Sequence, residues 1–203
     1  SKNIILAGYN MMIPHIVNNL PQDQYQELIK LTKIPLQYST IGLRNWRAVK
    51  EAGIGMAMSP GNMHQAVNMD FPTSMGGYEY TNSPNDPCIL HMRCCLQGDT
   101  HGAPAIQQFK EARYRMLGKK FSDYEVEIRE HLTGMLPKKY FNFDRDVASI
   151  TVNRWAHGYS YGKVSKIGIR PFGKITIANS DASGSSLMNR AIEEAWRAVR
   201  EIS

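Results

Sequence analysis

The sequence predicts a mixed fold, α/β in character at its two ends and α+β between them. Three observations lead there. The chain opens on a short apolar run, "NIILAGYN", that reads as a buried strand. It closes on "GKITIANSDASGSSLMNRAIEEAWRAVREIS", a strand, a turn of small polar residues and an amphipathic helix. Between these, strands and helices follow one another without the steady βαβα order of a complete doubly wound sheet. The 203 residues suffice for one large domain or two small ones, with a real core.

Each element has its own signal. Leu20, Tyr25, Leu28 and Leu31 in "LPQDQYQELIKLTK" recur at helical spacing, with Pro21 near the first turn. "IPLQYSTIGLRNW" (34–46) alternates and is rich in β-formers. Gly, Pro, Asn and Met crowd residues 53–86, which predicts loops with a few short strands. "PCILHMRCCL" is the next strand. In "FSDYEVEIREHLTGML" (121–136) Ser122 is placed to cap a helix and Glu125 to complete a capping box. Tyr124, Ile128 and Leu132 form the apolar stripe of that helix. "DVASITVNRWAHGYSYG" (146–162) is a strand running into an aromatic turn. The final helix offers Leu187, Ala191, Ala195, Ala198 and Ile202 as a packing stripe.

Charge and cysteines narrow the class. The net charge is +6, yet the basic residues are scattered rather than gathered into a stripe, which argues against nucleic acid. An acidic partner chain or a phosphorylated cofactor would use the same charge. No stretch approaches the roughly 20 apolar residues of a membrane span, and no basic segment with an apolar run marks an export leader. Cys88, Cys94 and Cys95 are odd in number and two are adjacent, against a disulfide framework. Cys88, His91 and Cys94 lie three apart, but in a strand such residues point to opposite faces. Buried core cysteines are therefore expected, and no metal site. Cysteine usage slightly favours a reducing, cytoplasmic compartment over a periplasmic one, which stays open if a partner chain carries an export signal.

Ligand chemistry concentrates in the closing segment. A helix N-terminus leaves its first backbone N–H groups free and carries partial positive charge, suited to an anion or an electron-rich carbonyl. Asn179, Ser180 and Ser183 are small turn residues of the kind that lets backbone approach a ligand, while Asp181 could equally cap the last helix. "SPGNMHQAVNM" could line a cavity with His64 in its wall, although methionine more often fills gaps in a core.

"IANSDA", the Gly/Ser turn and "LMNRAIEEAWRAV" resemble the second flavin-binding fingerprint of flavoprotein amine oxidases. Taken with "RNWRA", "SPGNMH", "ITVNRWAHGY" and "FGKITIANSDA" in the same order, the chain resembles the C-terminal part of a spermidine-dehydrogenase-like FAD oxidoreductase. The resemblance implies the C-terminal portion of a two-domain fold: a partial FAD-binding layer plus a substrate domain with a mixed or antiparallel sheet and flanking helices. Residues 1–12 would supply an FAD-domain strand, 13–150 the substrate-binding domain, and 151–203 the return to the FAD-binding domain. It also implies FAD as cofactor and hydride transfer to flavin N5 from a carbon α to an amine nitrogen.

By the same resemblance, the backbone around Met188, with Leu187, donates to the flavin carbonyl. Asp181 bonds the ribityl chain or nearby flavin hydroxyls, and Asn179, Ser180 and Ser183 complete the cofactor turn. Trp155, Tyr159 or Tyr161 supplies a ring that steers a cationic amine, and His157 is a candidate proton acceptor. No cysteine stands in 155–163, where some relatives attach the flavin, so FAD is expected to be non-covalent. No lysine stands near Thr40 or Ile41, where many amine oxidases carry one, which tilts the expectation from oxidase to dehydrogenase. Leu187 stands where some relatives carry a second cage tyrosine. "AGYNMMIP" is no G-x-G-x-x-G, so the dinucleotide turn must come from a second chain in an obligate heteromer with a large apolar interface. The rivals are a non-catalytic scaffold subunit of the same fold and a flavoenzyme acting on a substrate other than an amine.

Overall fold

The computed structural model describes residues 2–162 and 164–203; Ser1 and Lys163, the last residue of the 155–163 stretch, lie outside them. The chain runs through β1 (Ile4–Leu6), a 3₁₀ turn at Asn10–Met12, α1 (Ile13–Ile16), α2 (Gln22–Ile29), β2 (Thr32–Lys33) and β3 (Leu36–Leu43). Next come α3 (Arg47–Ala52), β4 (Met56–Met58), β5 (Ala66–Met69), β6 (Cys88–Cys95), α4 (Ala105–Gly118), α5 (Phe121–Met135) and α6 (Phe143–Asp146). β7 (Val147–Trp155), β8 (Ser160–Tyr161), α7 (Lys166–Ile169), β9 (Ile175–Ile177), a 3₁₀ turn at Ser180–Ser183 and α8 (Met188–Arg200) complete it. None of the described helices is long and apolar enough to cross a membrane. Neither α3 nor α4 was expected; in α4 the buried Phe109, Ala112 and Met116 fall three and four apart, helical spacing that the preceding loop residues hide.

The residues gather into two compact units. The first comprises Ser1–Pro35, Gly98–Lys110 and His157–Ser203; the second comprises Leu36–Gln97 and Glu111–Ala156.

In the first unit β1 pairs in parallel with β9, Ile4 opposite Ile175 and Leu6 opposite Ile177. β2 pairs antiparallel with β8. Ile13, Leu28, Ile177 and Ala182 form the core, with Leu6, Leu20 and Leu31 packed on it. The expected burial of the opening strand is only half realised: Ile4 and Ile5 are 45% and 44% exposed. The cause is that β1 has a single strand neighbour among the described residues. The stripe expected on α8 is also corrected. Ala198 is buried, but Leu187 is 55% exposed and Ala195 is exposed. The helix seats itself through Ala198 and through Arg197, which donates to the Ile177 carbonyl while pairing with Glu194 and Glu201. Its large apolar residues Met188, Ile192, Trp196 and Val199 therefore face outward.

In the second unit five strands form an antiparallel sheet in the order β4-β5-β6-β3-β7. Ile41, Leu43, Leu90 and Met92 share one face because β3 and β6 pair Ile41 with Leu90. α5 covers that face with Ile128 and Leu132, and Phe141 and Phe143 join the core. Tyr124, Ile128 and Leu132 are all buried, as their spacing predicts. The cap of α5 differs from expectation. Lys120 is the N-cap residue, and its N–H donates to Asp123 Oδ2 at 2.8 Å. The box closes two residues early, on Lys120 and Asp123 rather than Ser122 and Glu125, with the Asp123 carboxylate at the positive end of the helix. Cys88 and Cys94 are buried and free, while His91 points to the other face of the sheet. Burial pushes the thiols up, to about 12 for Cys88 and about 11 for Cys94, so neither is a nucleophile. Among the described residues no group of three or more His, Cys, Asp or Glu could hold a metal ion.

Candidate functional site

The closing turn is built by its own side chains. Asn179, in extended conformation, accepts the Ala182 N–H at 2.9 Å and donates to the Gly8 carbonyl at 2.6 Å and to Asn10 Oδ1 at 2.7 Å. The Ser183 hydroxyl donates to the Ser180 carbonyl at 2.7 Å and accepts the Ser185 N–H at 3.2 Å. Gly184 ends the 3₁₀ turn at φ +71°, a left-handed conformation that favours glycine. The structure thus gathers Asn179, Ser180, Asp181 and Ser183 into one turn leading to α8. No side chain caps α8 at Leu187, and Met188 is 82% exposed. The Leu187 N–H donates to the Ser185 carbonyl at 2.9 Å, so the first N–H groups of this 13-residue helix that are left for a ligand begin at Met188, at the positive end of its dipole.

Asp181 turns the other way. It is 6% exposed, with Oδ1 accepting from Lys33 Nζ at 2.6 Å and Oδ2 accepting the Asn10 N–H at 3.4 Å. Lys33 is itself 5% exposed, and its ammonium lies 4.0 Å from the centroid of the Tyr9 ring. Beside this pair, between Thr32, Ser160 and Tyr161, the remaining space is about 10 Å³. That is room for one water at most. Sequence reasoning missed Lys33; its one signal is a lysine inside an otherwise β-type run, "LTKIPL".

The three residues expected to handle substrate lie along one short stretch. Trp155 ends β7 opposite Leu36 and is 54% exposed. His157 is half-buried, and Tyr159 is 42% exposed. The turn is held by two backbone bonds, Gly158 N–H to the Ile34 carbonyl at 2.9 Å and Ile34 N–H to the Tyr159 carbonyl at 2.8 Å. Tyr161 stands edge-on to Phe109, ring centroids 5.0 Å apart, as a packing residue. Within the second unit, on the sheet face opposite the α5 core, His91 Nε2 lies 3.0 Å from Asp70 Oδ1 and its ring 5.2 Å from that of Tyr38. His64 is 1% exposed and belongs to the residues around a cavity.

The fold defined by these elements is a partial amine-oxidase fold, mixed α/β with an antiparallel sheet and flanking helices. The chain is similar over 100% of its length to cyclohexylamine oxidase from Brevibacterium oxydans IH-35A, at a TM-score of 0.68 and 14% identity. It is similar over 98% of its length to wild-type putrescine oxidase bound to putrescine, at a TM-score of 0.65 and 14% identity. In both cases it spans only 42% of the longer chain. No protein-family model and no curated protein sequence matches the chain.

Proposed function

We propose that the chain is the C-terminal portion of an FAD-dependent oxidoreductase acting on an amine, of the spermidine-dehydrogenase-like kind. The observation that carries this reading is the turn Asn179–Ser183 delivering the uncapped N-terminus of α8, in a fold that amine oxidases share along nearly all of this chain. The residues fit a flavin held without a covalent bond. The N–H groups of the first turn of α8 from Met188 on, with Leu187 beside them, would hold its carbonyl edge, and Asn179, Ser180 and Ser183 would bring backbone close to it. Asp181, buried on Lys33 and the Asn10 N–H, would serve by fixing this turn in place. When bound, the flavin would accept the hydride lost from the carbon α to the amine nitrogen. Trp155 and Tyr159 would place the amine, with His157 as proton acceptor; the chain's part is positioning and electrostatics.

The remainder of the dinucleotide layer would come from a second chain, or chain segment, carrying a G-x-G-x-x-G turn. β1 and β9 form a two-stranded parallel sheet, an arrangement that other proteins cover on both faces. α8 adds an outward row of Met188, Ile192, Trp196 and Val199, the composition of an obligate interface. In this reading residues 1–12 and 151–203 belong to the flavin layer and 13–150 to the substrate domain. A second reading, a scaffold subunit of the same fold, draws on the Lys33–Asp181 pair, which gives Asp181 a structural task without any cofactor.

Co-expression with a chain carrying the G-x-G-x-x-G half tests the proposal. The purified complex is expected to be yellow and to bleach when a diamine is added. A stable complex that is colourless and takes up no added FAD would overturn the flavin assignment and leave the scaffold.

A further inference from the structure

β4 (Met56–Met58) is an outer strand of the five-stranded sheet, with β5 on one side and no strand on the other among the described residues. Its flanks fix which of its backbone groups turn inward. The Met69 N–H donates to the Gly55 carbonyl at 3.0 Å and the Ser59 N–H to the Gln65 carbonyl at 2.9 Å, with Ala57 paired to Val67 between them. Bonding direction alternates along an antiparallel strand. Gly55, Ala57 and Ser59 therefore turn their groups to β5, and Met56 and Met58 turn theirs to the open edge. The side chains of these two methionines are 61% and 63% exposed.

An open edge is a template for a further strand, and proteins ordinarily guard it with lysine, another charge or proline. This one has no such guard. No Lys, Arg, Asp or Glu stands between Glu51 and Asp70, and the only proline there, Pro60, lies beyond the strand. The edge is also complementary to itself. A twofold axis at Ala57 sets Met56 of one copy opposite Met58 of the other, and these are the residues whose groups face out. Each such pair can exchange both of its backbone bonds. The methionine side chains of the two copies then meet on one face of the joined sheet, and no charge meets its own image. Pairing stops at these residues, because Pro60 has no N–H to give and the Ile54 N–H is held by the Val49 carbonyl at 3.2 Å. A contact this short makes a reversible dimer rather than a permanent one.

We propose that β4 pairs antiparallel with β4 of a second copy of this chain, about an axis at Ala57, so that the two sheets become one. The edge lies wholly in the second unit, so the pairing requires neither the flavin nor the G-x-G-x-x-G half.

Sedimentation of the full chain over a concentration series tests this, and a reversible monomer–dimer equilibrium is expected. Met58→Lys places a cation on the edge and should weaken the dimer about tenfold or more. Adding Met56→Glu to Met58→Lys should restore it, because the axis at Ala57 sets the new acid of one copy opposite the new base of the other. Both positions are exposed, so the melting temperature should hold. If either variant folds poorly, amide exchange in the unaltered chain decides. The Met56 and Met58 N–H groups should gain protection as concentration rises, while the Ala57 N–H, already turned to β5, should not change. A monomer at every concentration, a dimer that Met58→Lys leaves intact, or one that the double variant fails to restore would overturn the proposal. Protection of the Met56 and Met58 amides only when the G-x-G-x-x-G half is bound would also overturn it and assign the edge to that half.

Discussion

Lys33 and Asp181 stand 148 residues apart, yet their charges meet at 2.6 Å with both side chains buried. The acid was legible in the sequence because it follows "IANS" at a strand end. Its lysine was not, because nothing local marks which distant cation will be folded onto it. His64 shows the same division: the sequence left it between a cavity wall and a packed core, and its protonation state was not legible at all. Burial sets that state, and it has a measurable consequence. Above pH 6.5 His64 is neutral whether folded or unfolded, and the native state is favoured in full. Between 6.5 and about 4 the unfolded chain takes up a proton that the folded chain refuses, so stability must fall as the pH drops. At about 1.4 kcal/mol per pH unit the loss approaches about 3 kcal/mol, with His131 adding to the same slope. Asp146 extends the decline. The Arg145 guanidinium bonded to it holds its carboxyl down to about 2, so its contribution, present above its unfolded value, is lost as the pH falls through 2. Urea melts from pH 7 to pH 4 should show this slope, and His64→Gln should flatten it.

Helices α5 and α8 carry similar sequence patterns and meet different fates. Both were read from apolar residues three and four apart. In α5 those residues are the core, and Ile128 is 0% exposed beneath the sheet. In α8 the residues that pack are Ala198 and the stems of polar side chains, while Ile192 is 53% exposed. One substitution separates the two. Ile128→Ala should destabilise the chain by about 2–5 kcal/mol in denaturant melts, because it leaves a cavity in a closed core. Ile192→Ala should change the stability of the chain alone by less than about 0.5 kcal/mol. A large loss at Ile192 would mean that the outward row of α8 is covered within the chain itself.

At the scale of the molecule, the first unit carries a two-stranded parallel sheet and four large exposed apolar residues along α8, the surface that the second chain proposed above would cover. Trp196, 64% exposed at the middle of that row, is the natural anchor, since tryptophan concentrates binding energy at interface centres. Trp196→Lys should abolish assembly with the G-x-G-x-x-G half in gel filtration and leave the melting of the chain alone unchanged. Undiminished assembly of this variant would place the interface elsewhere on the unit.

The order and type of most elements were settled by the sequence itself. Alternation made β3 and β6, and helical spacing made α2, α5 and α8, because those signals act over a few residues. The small turn at Asn179–Ser183 was legible for the same reason, since its bonds reach mainly between neighbours. Tertiary structure alone decided the rest: which face of α8 turns inward, which cation meets Asp181, and that His64, Glu127 and His131 gather around one cavity. Each of these depends on contacts between residues far apart in the chain, and a pattern read along the chain has no access to them.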